Sequence, residues 1–182
     1  MVLANTYRRR LYDCALDQYG FVTTRDADDI GVPVVELRKL CARGGLEHVA
    51  YGLYRFADVP RANHDQYMEA VLRVGPDAYL THDAVLAFHD LALVNPRRIR
   101  IGTPHRVRPQ LPSTIEVVRQ HLDANELTTY EGVASAKVSR ALLDCVGLVM
   151  RDRLMDAVAE ATTRGLLHQI EARHVVEQLG AS

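Results

Sequence analysis

Apolar residues recur at steps of three and four from Thr6 to Tyr19, with Tyr7, Leu11 and Ala15 in one row and Tyr12, Leu16 and Tyr19 beside it. That spacing predicts an amphipathic helix, which Gly20 ends. Thr23 or Thr24 supplies a side-chain oxygen to cap a second, short helix through Arg25 to Asp29, whose early acids suit the positive end of the helix dipole. Gly31 closes it. Pro33, with its φ preset, opens a third helix that lasts to the Gly44-Gly45 pair. At about 100° per residue, Val34, Leu37, Leu40 and Cys41 gather on one face of this helix. Val35, Arg38, Lys39, Ala42 and Arg43 gather on the other. The stretches LEHV and LYRF, separated by AYG, predict a small hairpin.

After residue 56 the pattern changes. ADVPRAN, residues 57 to 63, has no periodicity and predicts a linker. Beyond it we expect helices over residues 64 to 74 and 81 to 88, strands near 98 to 102, 114 to 119 and 132 to 138, and helices near 140 to 149, 151 to 164 and 169 to 179. The expected fold class is therefore α+β: a winged helix-turn-helix at residues 1–58, then a mixed α/β carboxy-terminal domain at residues 64–182.

A short helix with a cationic exposed side, preceded by a tight turn and followed by a hairpin, has the arrangement of a recognition helix and its wing. Arg38, Lys39 and Arg43 are candidates for phosphates or guanine edges, and Val35 and Ala42 for a thymine methyl. His48 and Tyr51 are the candidate wing contacts. The amides of Thr24 and Arg25, at the start of the second helix, are candidates for a phosphate. Arg8, Arg9 and Arg10 add positive charge nearby. Residues 1 to 60 carry eight Lys/Arg against eight Asp/Glu, so the module is neutral overall; a protein-interaction role is the alternative, and DNA binding is the favoured reading.

The whole chain of 182 residues has a net charge of −1, is 48% hydrophobic and 25% charged, and contains no apolar run that could span a bilayer. Its amino terminus has no apolar stretch of the secretory kind, so the cytoplasm is the expected compartment. Cys14, Cys41 and Cys145 are too scattered for a disulfide framework or a zinc knuckle.

His82-Asp83 and His89-Asp90 stand seven apart and would share a helix face, but no third ligand has suitable spacing, and no metal is expected. The segment at residues 96 to 113 has five arginines, one histidine and no acid. The alternation RIRI places Arg98 and Arg100 on the exposed face of an edge strand, where they would blunt sheet pairing, or else the segment extends the DNA footprint. Asp144 is placed near the first turns of a helix, paired with Arg140. There is no phosphate-binding loop, kinase signature, GxSxG elbow or aspartate pair after Gly-Ser, so we expect no enzymatic activity and no cofactor.

The stretch GFVTTRDADDIGVPVVELRKLCARGGLEHVAYGLYRF resembles the amino-terminal domain of the AbiEi family of antitoxins, through Ala27, Gly31-Val32, Leu37, Leu40, Gly44-Gly45 and Gly52-Leu53-Tyr54. Residues 78 to 96, 115 to 146 and 157 to 167 are also similar to that family. Tyr51 departs from it, since an arginine more often precedes the glycine. The resemblance implies a bacterial antitoxin that represses its own operon by binding operator DNA. It also implies that the carboxy-terminal half counteracts a nucleotidyltransferase toxin, AbiEii-like or, as for MenA-type relatives, MenT-like. Related longer chains continue into a nuclease-like domain, for which no room is expected before Ser182. A toxin that handles tRNA should be basic around its active site, so Asp152, Asp156, Glu160, Glu171 and Glu177 are candidate toxin contacts. The competing readings are a stand-alone winged-helix regulator whose second half senses a ligand or dimerises, and an atypical kinase acting on the toxin or a degenerate nuclease.

Overall fold

The computed structural model describes residues 2–107 and 110–181, with side chains from Thr6 onward within those bounds. The chain divides by its own packing into two units, residues 1 to 73 and 74 to 182.

In the first unit the order is α1 (Val2–Leu16), β1 (Phe21–Thr23), α2 (Thr24–Asp29), α3 (Val34–Ala42), β2 (Glu47–Ala50), β3 (Leu53–Arg55) and α4 (Asp65–Val74), whose last residue opens the second unit. Leu11 and Ala15 of α1, Ala27 of α2 and Leu37 of α3 are completely buried and meet Val22, Val32, Leu46, Phe56 and Val59 in one core. The helix expected to reach Tyr19 stops at Leu16, which is 52% exposed at its last position. The turn that follows depends on Gly20: its φ is +86°, its amide donates to the Ala15 carbonyl at 2.7 Å, and a Cβ there would lie 2.8 Å from Val59 Cβ.

The three strands form an antiparallel sheet in the order β1-β3-β2. Ala50 pairs with Leu53, so Tyr51-Gly52 is a two-residue turn, and Gly52 takes the required positive φ of +69°. The register shifts between His48 and Ala50, leaving Val49 in a bulge. β1, with three residues, is too short for an alternation to show in the sequence.

The segment predicted as a linker is tied down by a side chain. The Arg55 guanidinium, 2% exposed as a residue, donates to the carbonyls of Phe56, Val59 and Pro60 and to Asp65 Oδ2 at 3.3 Å, and lies over the Phe21 ring. Asp65 also accepts from the Ala62 amide at 3.0 Å. The start of α4 is thereby fixed to the end of β3.

The second unit runs β4 (Tyr79–Leu80), α5 (Asp83–Phe88), β5 (Ile99–Thr103), β6 (Ile115–Arg119), β7 (Leu127–Tyr130), β8 (Val133–Ala136), α6 (Val138–Asp144), α7 (Arg151–Thr163) and α8 (Gln169–Ala181). Its mixed sheet has the order β6-β5-β4-β8-β7, with β5/β6 and β4/β8 parallel and the other two pairings antiparallel. Leu80, Leu86, Ile101, Leu142, Leu154 and Leu179 are among its fully buried side chains.

Several expectations are corrected here. β5 is an interior strand, so Arg100 does not guard an edge; it is half-buried and held by Asp83 and by Glu116 at 3.4 Å. Arg97, Arg98 and Arg106 are exposed, and Arg108 lies outside the described residues. The helix expected over residues 81 to 88 begins only at Asp83, because His82 has φ +52° and stands at its N-cap. His89 caps the other end, so the two histidines flank a short helix rather than share its face. Asp144 is the last residue of α6, not in its first turns, and pairs with Arg140 at 2.9 Å.

Candidate nucleic-acid interface

The angle between α2 and α3 is set by local bonds and by two buried side chains. Thr23 caps α2 in a reciprocal box: the Asp26 amide donates to Thr23 Oγ1 at 3.0 Å, and the Thr23 amide donates to Asp26 Oδ2 at 2.7 Å. At the other end the Val32 amide reaches the Ala27 carbonyl at 2.7 Å, turning the chain through Gly31. Ala27 and Leu37 then press the two helices together with no exposed surface. Pro33 stands at the N-cap of α3, one position before the helix it was expected to open.

α3 presents two different faces. Val34, Leu40 and Cys41 are half-buried around Leu37, while Arg38, Lys39, Ala42 and Arg43 are exposed and Val35 is 50% exposed. Lys39 Nζ is 2.7 Å from Glu36 Oε1, so its charge is partly engaged on the helix itself. Arg38 and Arg43 make no ion pair among the described residues. Arg38 on α3 and Arg43 at its C-cap thus present two unengaged guanidinium groups to solvent, a chemistry suited to phosphate oxygens or guanine edges.

The wing turn is fastened beside that helix pair. The Thr24 amide donates to the Gly52 carbonyl at 2.9 Å, and a Cβ on Gly52 would lie 3.1 Å from Thr24 Oγ1. Tyr51, next to that contact, is 97% exposed. His48 is exposed and packs its ring against Tyr54, with centroids 5.2 Å apart.

Residues 9–57 match the family model described as transcriptional regulator, AbiEi antitoxin. The stretch is thus similar to the AbiEi antitoxin regulator domain. The match runs from within α1 to just past β3, so it takes in the helix-turn-helix and the wing. No curated protein matches the chain. Among the described residues no helix is long and apolar enough to cross a membrane.

Within this AbiEi-like stretch, some candidates are already occupied. The Thr24 amide expected to hold a phosphate is spent on Gly52, and α2 has its own side-chain cap, so its amino end is not an open anion site. Arg25 is exposed and lies 4.0 Å from Asp29. Arg8 is structural: it bonds Asp58 at 2.7 Å and lies over the rings of Tyr12 and Phe56. Arg9 faces Asp13 at 4.0 Å, whereas Arg10 is exposed, and its guanidinium would be 3.7 Å from a Cβ at Gly31, in the turn before α3.

One residue that positions the wing lies beyond the matched stretch and has no sequence signal. Arg73, near the end of α4, donates to the Val49 carbonyl at 3.1 Å and so holds the bulge of the wing, with Glu69 2.7 Å away steadying its guanidinium. Nothing local announces this bond, since the partners are separated by 24 positions.

In the second unit Asp152, Asp156 and Glu160 recur at four-residue steps along α7 and are exposed, although Glu160 pairs with Arg164 at 3.2 Å. Glu171 is half-buried and accepts from the His168 amide at the start of α8, so it serves as a cap. Glu177 is exposed on α8.

Proposed function

We propose that the protein is an antitoxin that represses its own operon by inserting α3 into the major groove of operator DNA, and that it neutralises a nucleotidyltransferase toxin through its second unit. The observation that carries the reading is the unengaged, exposed pair Arg38 and Arg43, on α3 and at its C-cap, in the AbiEi-like stretch. Arg38 and Arg43 contact phosphate or guanine, with Lys39 contributing less because Glu36 already holds it. Val35 meets a thymine methyl, while Tyr51 and His48 lie along the adjoining backbone. Arg25 adds a phosphate contact from its side chain rather than from the helix amides.

Toxin recognition is assigned to the α7 ridge of Asp152, Asp156 and Glu160, with Glu177, by complementarity to a basic nucleic-acid-handling site. The cytoplasm is the compartment in which both partners are met. The test has two arms. Purified protein is titrated with the promoter DNA of its own operon, and the toxin is co-expressed with wild type or with Asp152→Lys/Asp156→Lys. Specific retardation of the promoter and loss of toxin rescue by the charge-reversed variant support the proposal. Equal binding to unrelated DNA, or full rescue by that variant, overturns the corresponding half.

A further inference from the structure

The second unit contains a cavity of about 570 Å³, within the size range of small-molecule sites. It exists because strands that could carry large side chains there carry small ones: Ala78 at the approach to β4, and Ala134 and Ser135 in β8. Tyr79, Leu122, Leu127, Pro76 and Pro104 form apolar walls.

The Tyr79 wall is fixed in place. Its ring lies directly over Gly102, where an added Cβ would fall 2.3 Å from Cε2, and its hydroxyl donates to the Gln120 carbonyl at 3.0 Å. Leu122 is 6% exposed, so it too is anchored. A site with walls already in position loses little entropy when it fills.

The polar groups define what enters. Among the described residues, Asp77 is the one carboxylate that lines the cavity, and no lysine or arginine does. Asp77 is engaged by His105 Nε2 at 3.1 Å. That leaves His121 and Thr128 as uncommitted hydrogen-bonding side chains at an otherwise apolar wall. An anionic ligand would surrender its hydration without gaining a lysine or arginine counter-charge, and a cationic one would have to displace His105 from Asp77. A flat, uncharged aromatic body of one or two rings with one polar edge would occupy the part of this space beside Tyr79 and Leu122 and place that edge at His121 or Thr128.

We propose that this cavity is a binding site for an uncharged, planar aromatic ligand of one or two rings. It makes the second unit a small-molecule receptor in addition to any partner surface on α7 and α8.

The probe is indole, titrated into the isotope-labelled full chain and followed by amide NMR, with indole-3-acetate as the charged comparison. Saturable shifts confined to residues 77 to 79, 105, 121 to 128 and 133 to 135 are expected. Indole-3-acetate should bind at least about tenfold more weakly, by the desolvation of its carboxylate. Ala134→Leu, which fills the space, should weaken indole at least about tenfold while leaving the rest of the spectrum in place. His121→Ala, at an exposed position, serves if the leucine variant does not fold; it should shift the indole-contacting amides less. Absence of saturable shifts up to the solubility of indole, shifts centred elsewhere, or equal affinity for the carboxylate would overturn the proposal.

Discussion

Truncating Arg38 to alanine separates binding from folding. The side chain is exposed and makes no ion pair among the described residues, and Leu37 beside it supplies the packing, so stability should change by no more than about 0.5 kcal/mol. If the guanidinium reaches a guanine edge, operator affinity falls by about 1–3 kcal/mol, roughly 5- to 150-fold, and the loss is specific to that base pair. If it reaches a phosphate, affinity falls on every sequence, and the slope of log affinity against log salt becomes shallower by about 0.9. Arg38→Ala/Arg43→Ala should then lose about 1.8 of slope. Lys39→Ala is the internal comparison: its ammonium is already 2.7 Å from Glu36, so its loss should be the smallest of the three. Fluorescence anisotropy with labelled operator, repeated between about 50 and 200 mM salt, measures both quantities. Unchanged affinity and slope in the double variant, with its melting curve intact, would refute the placement of α3 in the groove.

Gly102→Ala should destabilise by about 1–3 kcal/mol in urea unfolding, because the Tyr79 ring over it is pinned through its hydroxyl and cannot swing away. Asp65→Asn should cost about 3–5 kcal/mol by leaving the buried Arg55 guanidinium without its counter-charge, read in the same assay. Burial raises the Tyr79 hydroxyl from 10.0 to about 12 and the Cys145 thiol from 9.0 to about 12. The unfolded chain releases these protons first, so their contribution is complete below pH 9 and is lost as pH rises to about 12. Tyr79→Phe/Cys145→Ala should flatten that alkaline decline in Tm, and an unaltered decline would contradict the assignment. Arg73→Ala should raise hydrogen exchange at the wing amides near Val49 without disturbing α3.

Local physics along the chain determined the two faces of α3, because a period near 3.6 residues sorts Leu37 from Arg38 whatever surrounds them. It also determined the hairpin, since Gly52 permits the positive φ that a two-residue turn demands. Tertiary structure decided what those elements are free to do. The Thr24 amide was a plausible anion site until Gly52, 28 positions on, occupied it, and Arg100 was an edge residue until β4 and β6 paired on either side of β5. β4 is only two residues long and β7 follows directly on a turn at Ala124–Glu126, so neither carries enough alternation to be seen in one dimension. The cavity beside Tyr79 likewise comes from small residues that meet only when β4 and β8 pair. Hydrogen-bond partners and empty volume are properties of pairs distant in sequence, whereas periodicity and backbone preference belong to neighbours, and this boundary separates what could be read along the chain from what folding decided.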